Sequence, residues 1–461
     1  MSIIAGFMVP HPPMIVPAVG RGSEAEVEET TRAYERVAEE IAEIKPETII
    51  ISSPHTVMYA DYFHISPGSG AKGSFRDFGA PEVSFDEEYD QELTSEICRI
   101  ADECHFRAGT MGERDKNLDH ATMVPLYFIR QKYKGGKIIR VGLSGLPLTE
   151  HYALGMMIQQ AVDKLGRRAV YVASGDLSHK LKEYGPYGFA PEGPVYDERI
   201  MDVMGRGAFG ELFDFDETFC DKAAECGHRS FVIMAGGFDG VSVRVEKHSH
   251  QDVTGVGYGI CSFFAGEHDE SRKFLDAYLA GQAESSREQL EQADEYVKLA
   301  WRSLKSYITK RESIDVPDGL PPEMLEQQAG AFVSIHENGA LRGCIGTILP
   351  TTDSVAQEII DNAVSAATRD PRFDPITPEE LPWLEVNVDV LSAPEDIDSP
   401  AELDVKKYGV IVSCGSRRGL LLPDLDGVDT VEQQISIARR KGGISEDEPV
   451  KLQRFTVTRH K

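Results

Sequence analysis

Basic residues are few in this 461-residue chain, in which 48 lysines and arginines stand against 76 aspartates and glutamates, for a net charge of −28. So acidic a chain is a poor match for nucleic acids, whose phosphate backbone is bound by a basic face. It is an equally poor match for an anionic membrane surface. We therefore expect neither nucleic acid nor membrane among its partners.

Long apolar runs are also missing. No uninterrupted apolar stretch reaches the roughly 18 residues that a transmembrane helix needs. The opening MSIIAGFMVPHPP has no basic flank and meets prolines at once, a pattern typical of a first strand and its loop rather than of a signal peptide. The seven cysteines are odd in number and form no C-x-x-C pair, which argues against a disulfide framework or a structural zinc site. These absences predict a cytoplasmic protein.

Apolar residues make up 41% of the chain and charged residues 27%, as in ordinary globular proteins. The length predicts two or three domains. Near residues 268–290 a charged stretch rich in alanine and glutamine separates two halves of different character. We accordingly predict a first domain over 1–268, a helical connector over 269–290 and a second domain over 291–461.

The first half alternates strand-like and helix-like segments. The strand candidates are the apolar runs at 3–9, 48–53, 138–143 and 169–174, and a helical stretch at 150–165 lies between the last two. Alternation of this kind predicts an α/β fold in which helices cover the faces of a sheet.

Histidines follow three of these strand candidates. His11 comes two residues after the first, His55 two residues after the second and His179 five residues after the fourth. Ligands of open α/β sheets bind beyond the carboxyl ends of the strands, so we expect the three imidazoles to converge on one crevice. Two imidazoles and an anionic ligand form the facial triad of non-haem Fe(II) sites, and a third histidine near an aspartate, Asp176, suits a general base. The alternative is that each histidine is a polar loop residue or a helix cap.

Four segments extend this hypothesis: PHPPMIVPAVG, SPHTVMYADYFHI, LDHATMVPLYFI and SGDLSH. In this order, across the first half of the chain, they resemble the LigB-type class III extradiol ring-cleavage dioxygenases and the related Memo proteins. The resemblance implies a mixed central sheet flanked by helices, with His11 and His55 as metal ligands. It also implies that His120 touches bound substrate or oxygen, and that His179, with Asp176 beside it, is the catalytic acid and base.

The same resemblance implies an Fe(II) cofactor, with Zn or Cu as alternatives. The reaction it implies is O₂-dependent cleavage of a catechol-type ring, so that the partners would be a small aromatic substrate and O₂. Imidazoles suit the proton transfers of such a reaction because their ordinary pKa, about 6.5, lies near working pH.

The third metal ligand is open between two neighbours, Glu225 and Cys226, in the segment AAECGHRSFVIMAGGFDG. The dioxygenases that the chain resembles use a glutamate at the start of this helix, whereas Memo-type proteins use a cysteine. Spacing to Gly236 and Gly237 favours Cys226, and hard-oxygen chemistry with Fe(II) favours Glu225. Because adjacent residues point in different directions, we expect only one of them to bind metal. A buried structural thiol is the alternative for Cys226.

The second half resembles the AMMECR family through FVSIHENGALRGCIGTILP, DPRFDPITPEELPWLEVNVDVL and YGVIVSCGSRRGLLLPDL, which implies a smaller α+β domain without a settled activity. In LRGCIG, Arg342 and Cys344 alternate to one face of a strand, and one interpretation makes them part of a ligand or partner groove. The alternative is a structural arginine paired with Asp370 or Asp374.

The fusion itself suggests a second function. In bacteria, Memo-type and AMMECR-type modules are associated with a radical SAM protein in the AmmeMemoRadiSam system. The resemblance therefore implies, as the alternative to ring cleavage, a metal-binding redox component that acts with a radical SAM partner. A homodimer is compatible with such an acidic two-domain protein.

A second pair of histidines, His248 and His250, stands in VEKHSHQD before the last strand of the first half. In a regular strand the two would share a face, where they could bind a metal. We expect instead an exposed sheet edge.

Overall fold

The computed structural model describes residues 3–112, 117–337, 339–425 and 427–461. The chain divides into two compact units, Met1–Tyr278 and Leu279–Lys461, which we call unit 1 and unit 2. None of the described helices combines the length and the apolar character that crossing a membrane requires.

Unit 1 alternates strands and helices along most of its length. In chain order they are β1 (Ile3–Val9), α1 (Pro17–Gly20), α2 (Glu28–Ile44), β2 (Thr48–Ser53), β3 (Phe63–His64), β4 (Gly70–Phe75), β5 (Ala80–Glu88), α3 (Gln91–Glu103), β6 (Ala108–Gly109), α4 (His120–Lys132), β7 (Lys137–Gly142), α5 (Leu148–Leu165), β8 (Ala169–Ser174), α6 (Glu192–Arg206), α7 (Glu217–Ala223), α8 (His228–Gly236), β9 (Val241–Gln251), β10 (Tyr258–His268) and α9 (Phe274–Gln292). The division between the units falls within α9.

Six of these strands form one mixed sheet in the order β7-β2-β8-β1-β10-β9. The first four run parallel, whereas β10 is antiparallel to β1 and β9 is antiparallel to β10. Parallel neighbours need crossover connections, which are usually helical. The mixed central sheet flanked by helices is thus confirmed.

Both faces of the sheet are buried along its four parallel strands. In β2, Ile49 and Ile51 point to the face covered by α2 and α4, whereas Ile50 points to the face covered by α3, α5, α6 and α8. A strand buried on both sides is apolar along its whole length, which is why TIIISS could be recognised as a strand.

The strands β2, β8 and β1 are neighbours and end at nearly the same level. Val9 of β1 pairs with Ser174, the last residue of β8, and Ser52 of β2 pairs with Ala173. The loops that follow the three strands therefore start side by side, at the carboxyl ends of the strands.

The edge strand β9 departs from regular alternation. Its pairing with β10 shifts by one residue at His248, and such a bulge changes which face the following side chains meet. His248 lies 3.7 Å from Glu40 of α2, whereas His250 lies 3.0 Å from Asp197 of α6, and α2 and α6 cover opposite faces of the sheet. The predicted edge position is confirmed, but the shared face was wrong because of the bulge.

Unit 2 is the smaller α+β unit. In chain order its further elements are α10 (Glu295–Lys310), α11 (Pro322–Glu326), β11 (Ala331–Glu337), β12 (Ala340–Gly346), α12 (Val355–Thr368), β13 (Leu384–Leu391), β14 (Glu395–Ile397), β15 (Gly409–Cys414), β16 (Arg417–Leu421), α13 (Val431–Lys441), β17 (Lys451–Phe455) and β18 (Val457–His460). They form two antiparallel sheets, β12-β11-β13-β18 and β14-β17-β15-β16. Helices α10 and α12 pack on the first sheet and α13 packs on the second.

Candidate metal centre

The loops after β1 and β2 bring His11 and His55 together, and Cys226 joins them from the turn before α8. The potential ligand atoms of these three residues all lie within 4.8 Å of one another. The distance from His11 Nε2 to Cys226 Sγ is 3.7 Å. His11 is buried, Cys226 is half-buried and His55 is exposed, so the group can be reached from solvent on the His55 side.

The hydrogen bonds of His11 leave one ring nitrogen free for a ligand. Its Nδ1 lies 3.1 Å from Ser174 Oγ, and that hydroxyl donates to the carbonyl of Ala121 at 2.7 Å. Since the hydroxyl proton is already used, Ser174 accepts from His11 Nδ1–H. The lone pair of His11 Nε2 then points to the Cys226 side, which is the tautomer that metal-binding histidines adopt when Nδ1 is held by a second group.

The imidazoles near this group are kept neutral. Burial lowers the pKa of His11 well below its ordinary value, and His55, His120 and His179 lower it further. Burial likewise lowers the pKa of His120 to about 4, with His55 adding to the effect. Desolvation also lowers the pKa values of His179 and of His55, whose ring is shielded on one side and open to solvent on the other. Neutral imidazole is the form that binds a metal.

Cys226 and Glu225 point to different surroundings. The Cys226 thiol faces the imidazoles, and its sulfur accepts a hydrogen bond from the Asp176 backbone amide at 3.3 Å. The Glu225 carboxylate instead accepts from the backbone amide of His228, at 2.6 Å, and burial raises its pKa to about 7. Among the described residues, the group of potential ligands contains Cys226 and not Glu225. The ligand assignment itself stays a prediction.

His120 and His179 border the group. The His120 ring is tilted over His55 at 4.4 Å between ring centroids and lies 5.4 Å from His11. His179 Nδ1 lies 2.5 Å from the carbonyl of Ala224, so Nδ1 donates and Nε2 keeps its lone pair. That lone pair can accept a proton from a bound molecule.

Asp176 does not pair with His179 in the way that a catalytic dyad would. Its Oδ1 accepts from the His11 backbone amide at 2.7 Å, and its backbone carbonyl accepts from the Cys226 amide at 3.3 Å. Burial raises the pKa of this carboxyl to about 7. The contacts of Asp176 thus join the loops that carry His11 and Cys226, and the catalytic role predicted from the sequence stays a prediction.

The structure adds three residues that the sequence analysis did not single out. Ser174 fixes the tautomer of His11. The feature of the sequence that could have identified Ser174 is its position as the last residue of a predicted strand. Phe78 stands edge-on to His120 at 5.5 Å, and Tyr187 stands edge-on to His179 at 5.1 Å. Both aromatic rings are exposed. Phe78 ends a one-turn 3-10 helix and Tyr187 lies in a turn, and no periodic pattern marks either residue.

Unit 2 places its own candidates differently. Arg342 pairs with the Glu380 carboxylate at 2.9 Å and donates to the backbone carbonyl of Asp374 at 2.8 Å. The Asp370 carboxylate accepts instead from Arg372, at 2.7 Å, and from the backbone amide of Cys344, at 2.9 Å. The structural alternative for Arg342 therefore holds in part. Asp374 is a partner through its backbone carbonyl, whereas Asp370 is not, because its carboxylate binds Arg372 and the Cys344 amide.

Each half of the chain matches a known protein family. The family model of the "catalytic LigB subunit of aromatic ring-opening dioxygenase" matches residues 5–261, and the AMMECR1 family model matches residues 297–460. Protein CA_C1420 of Clostridium acetobutylicum is 41% identical over 479 aligned positions, which cover 100% of both chains. A protein of Thermotoga maritima is 54% identical over 168 positions, 36% of this chain and 97% of its own. The crystal structure of the uncharacterized protein PH0010 from Pyrococcus horikoshii is similar at 32% identity and a TM-score of 0.34, over 37% of this chain and 90% of that one.

Proposed function

Because the chain belongs to the family of LigB catalytic subunits of aromatic ring-opening dioxygenases, here fused to an AMMECR1 unit, we propose that unit 1 is a Memo-like mononuclear metal-binding redox protein. Its ligands would be His11, His55 and Cys226. One observation carries the proposal: the three ligand atoms lie within 4.8 Å of one another. Fe(II) is the favoured metal, as the sequence resemblance implies, with Zn or Cu as alternatives.

The donor set fits a metal ion. Two neutral imidazoles and one thiolate are ligands of intermediate to soft character, which suit Fe, Zn and Cu. Burial raises the pKa of the Cys226 thiol well above its ordinary value, so an arriving cation must displace the thiol proton. Such displacement is the usual course of metal binding by cysteine. A thiolate in place of a carboxylate makes the centre more easily oxidised, which favours a redox role over oxygen insertion.

The residues around the ligands have roles of their own. When bound, the metal would supply Lewis-acid or one-electron chemistry. His179 would take a proton from a molecule at the centre, because its Nδ1–H is bound to Ala224 and its Nε2 is free. His120, tilted over His55, would face the same molecule.

Catechol cleavage is the second candidate function. It is favoured by the two aromatic rings, Phe78 and Tyr187, that stand beside His120 and His179, since such walls suit a flat aromatic substrate. Oxygen uptake by the Fe(II)-loaded protein with a panel of catechols tests it. Consumption of one O₂ for each catechol lost would support ring cleavage, and no uptake would leave the redox role.

A radical SAM protein is the proposed macromolecular partner. The chain has no C-x-x-x-C-x-x-C motif, so the cluster of such a reaction would belong to a separate protein. Affinity purification of the full chain from its own cells, followed by iron and sulfide analysis, tests this partnership. A co-purifying iron–sulfur protein is the expected result.

Anaerobic Fe(II) titration tests the metal centre itself. We expect wild type to bind one ion and Cys226→Ala to bind it more than about 100-fold more weakly, since losing a ligand costs more than losing a supporting residue. Glu225→Gln is the matched control, because it changes the adjacent residue and keeps an acceptor for the His228 amide; its affinity should stay within about threefold of wild type. The reverse pattern would make Glu225 the ligand and favour ring cleavage. Absence of binding by wild type would contradict the proposal.

A further inference from the structure

We propose that Asp119 is a positioning residue that fixes His55 and His120 relative to each other. This role rests on the metal centre proposed above. The Asp119 carboxylate connects the loop after β2, which carries His55, with the first turn of α4, which begins at His120. The carboxylate thus joins two segments that are far apart in the sequence.

The first connection runs through a serine. Asp119 Oδ1 accepts a hydrogen bond from Ser53 Oγ at 2.6 Å, and Ser53 Oγ accepts one from the backbone amide of His55 at 3.2 Å. Ser53 is the last residue of β2 and is fully buried. Through this one hydroxyl, the carboxylate holds the backbone of a proposed metal ligand.

The second connection is a helix cap. Asp119 Oδ1 accepts from the Thr122 backbone amide at 3.0 Å, and Oδ2 accepts from the Thr122 hydroxyl at 2.8 Å. An aspartate in this place satisfies free amides at the start of a helix. The cap fixes the first residue of α4, which is His120, and so sets the 4.4 Å separation of the His55 and His120 rings.

A buried arginine faces the same carboxylate. Arg140 of β7 is fully buried, and its guanidinium lies 3.6 Å from Asp119 Oδ2. Arg140 also donates to Ser66 Oγ at 2.9 Å and to the carbonyl of Asn117 at 2.5 Å. The guanidinium thus places a positive charge beside the Asp119 carboxylate, and hydrogen bonds that involve charged groups are the stronger ones.

The opposite end of β2 offers a matched control. Asp90 caps α3 by accepting from the Leu93 amide at 3.1 Å. It also accepts from the hydroxyl of Thr48, the first residue of β2, at 2.5 Å, and lies 3.4 Å from Arg167. The same three kinds of partner thus surround an aspartate at the end of the strand that faces away from the histidines. Comparing variants of Asp119 with variants of Asp90 therefore distinguishes an effect on the position of the histidines from a general loss of stability.

Co(II) binding to the full chain gives the first readout. We expect Asp119→Ala and Ser53→Ala each to lower Co(II) affinity by about 10-fold or more, as loss of a supporting contact does in other metal sites. The double variant should bind Co(II) about as weakly as Asp119→Ala alone, because Asp119→Ala already breaks the connection through Ser53. Asp90→Ala and Thr48→Ala should bind Co(II) within about twofold of wild type.

The visible spectrum of bound Co(II) and the melting temperature separate the two roles. The spectrum should change with Asp119→Ala and stay that of wild type with Asp90→Ala. Both variants remove a helix cap, so both should lower the melting temperature of the metal-free protein by similar amounts. A purely structural Asp119 would predict the same Co(II) spectrum and affinity for the two variants, which would overturn the proposal.

Hydrogen exchange of the metal-free protein gives a readout that needs no metal. Asp119→Ala should speed amide exchange both in the segment that contains His55 and in the first turn of α4, whereas Asp90→Ala should leave the His55 segment unchanged. If wild type binds no Co(II) but this pattern is seen, the proposed function fails and the positioning role stands. If wild type binds Co(II) and the His55 segment does not respond to Asp119→Ala, the positioning role fails and the metal centre stands.

Discussion

Two buried carboxyl groups, Asp176 of unit 1 and Glu358 of unit 2, are held in opposite ways. In unit 1, Asp176 accepts from the His11 amide beside the candidate metal centre, and burial raises its pKa to about 7. In unit 2, Glu358 is 1% exposed, yet its pKa is lowered, because hydrogen bonds to the ionised form outweigh the burial that alone would raise it. Those hydrogen bonds come from the side chains or backbone amides of Thr347, Thr351 and Thr352.

The difference separates a structural polar site from one prepared for a ligand. The Glu358 oxygens are filled by protein donors, as buried polar groups usually are. The metal group of unit 1 keeps the lone pair of His11 Nε2 directed to Cys226 and its imidazoles neutral. Changes in unit 1 should therefore act on metal binding, and changes around Glu358 should act on stability alone.

The largest expected effect comes from Gly175, which separates β8 from Asp176. A Cβ at this position would lie 2.1 Å from the Cα of Gly227, the neighbour of Cys226. Because the Gly227 Cα is backbone and a Cβ is fixed rigidly to its own backbone, Gly175→Ala must push the two loops apart and move the Cys226 thiol. We expect metal affinity to fall by more than about 100-fold, measured by Fe(II) titration.

The control for this prediction is Gly205→Ala in α6. A Cβ there would meet the Lys247 side chain at 3.6 Å, an ordinary contact, and alanine favours the helix. Metal affinity should stay that of wild type. A folded Gly175→Ala protein with full affinity would show that the close approach of the two loops does not position Cys226.

A smaller effect is expected at Ser174, which accepts from His11 Nδ1–H. Ser174→Ala removes the acceptor that holds the ring tautomer, so Fe(II) or Co(II) affinity should fall by about 10- to 100-fold. Ser262→Ala is the control, since this buried hydroxyl contacts His248 and Glu40 in the same unit. Equal affinities for the two variants would remove Ser174 from the metal centre.

Much of unit 1 could be predicted from the sequence because its central strands are buried on both sides. Their apolar runs are continuous, and their ends mark where His11 and His55 lie. These loops meet because β2, β8 and β1 are parallel neighbours, an arrangement that the alternation of strands and helices favours.

The choice between Glu225 and Cys226 could not be made from the sequence. It depends on the direction of a short turn between α7 and α8, in which Ala224 adopts left-handed backbone angles (φ 54°), and alanine gives no signal for such a turn. The partner of Arg342 was missed for a related reason. Glu380 lies 38 residues further on, and its approach depends on how the intervening loop folds.

The smallest effect tests the unit 2 side of the comparison. Glu358→Gln should lower the free energy of unfolding of unit 2 by about 1–2 kcal/mol, because an amide cannot accept all the hydrogen bonds of the carboxylate. The two tryptophans of the chain, Trp301 and Trp383, both belong to unit 2. Urea unfolding of the full chain followed by tryptophan fluorescence therefore reports this unit. Metal affinity should not change.

The pH dependence of that unfolding gives the sharper form of the test. A carboxyl whose pKa is lowered by folding stabilises the folded state above its ordinary value of 4.5 and loses this contribution as pH falls through the lowered value. Unit 2 of wild type should therefore lose stability below about pH 5, and Glu358→Gln should lose less over the same range. Glu326→Gln, at an exposed position of α11, should change stability by less than about 0.5 kcal/mol and keep the wild-type dependence on pH. If Glu358→Gln kept the wild-type dependence on pH too, ionised Glu358 would not stabilise unit 2. The contrast drawn with Asp176 would then be wrong.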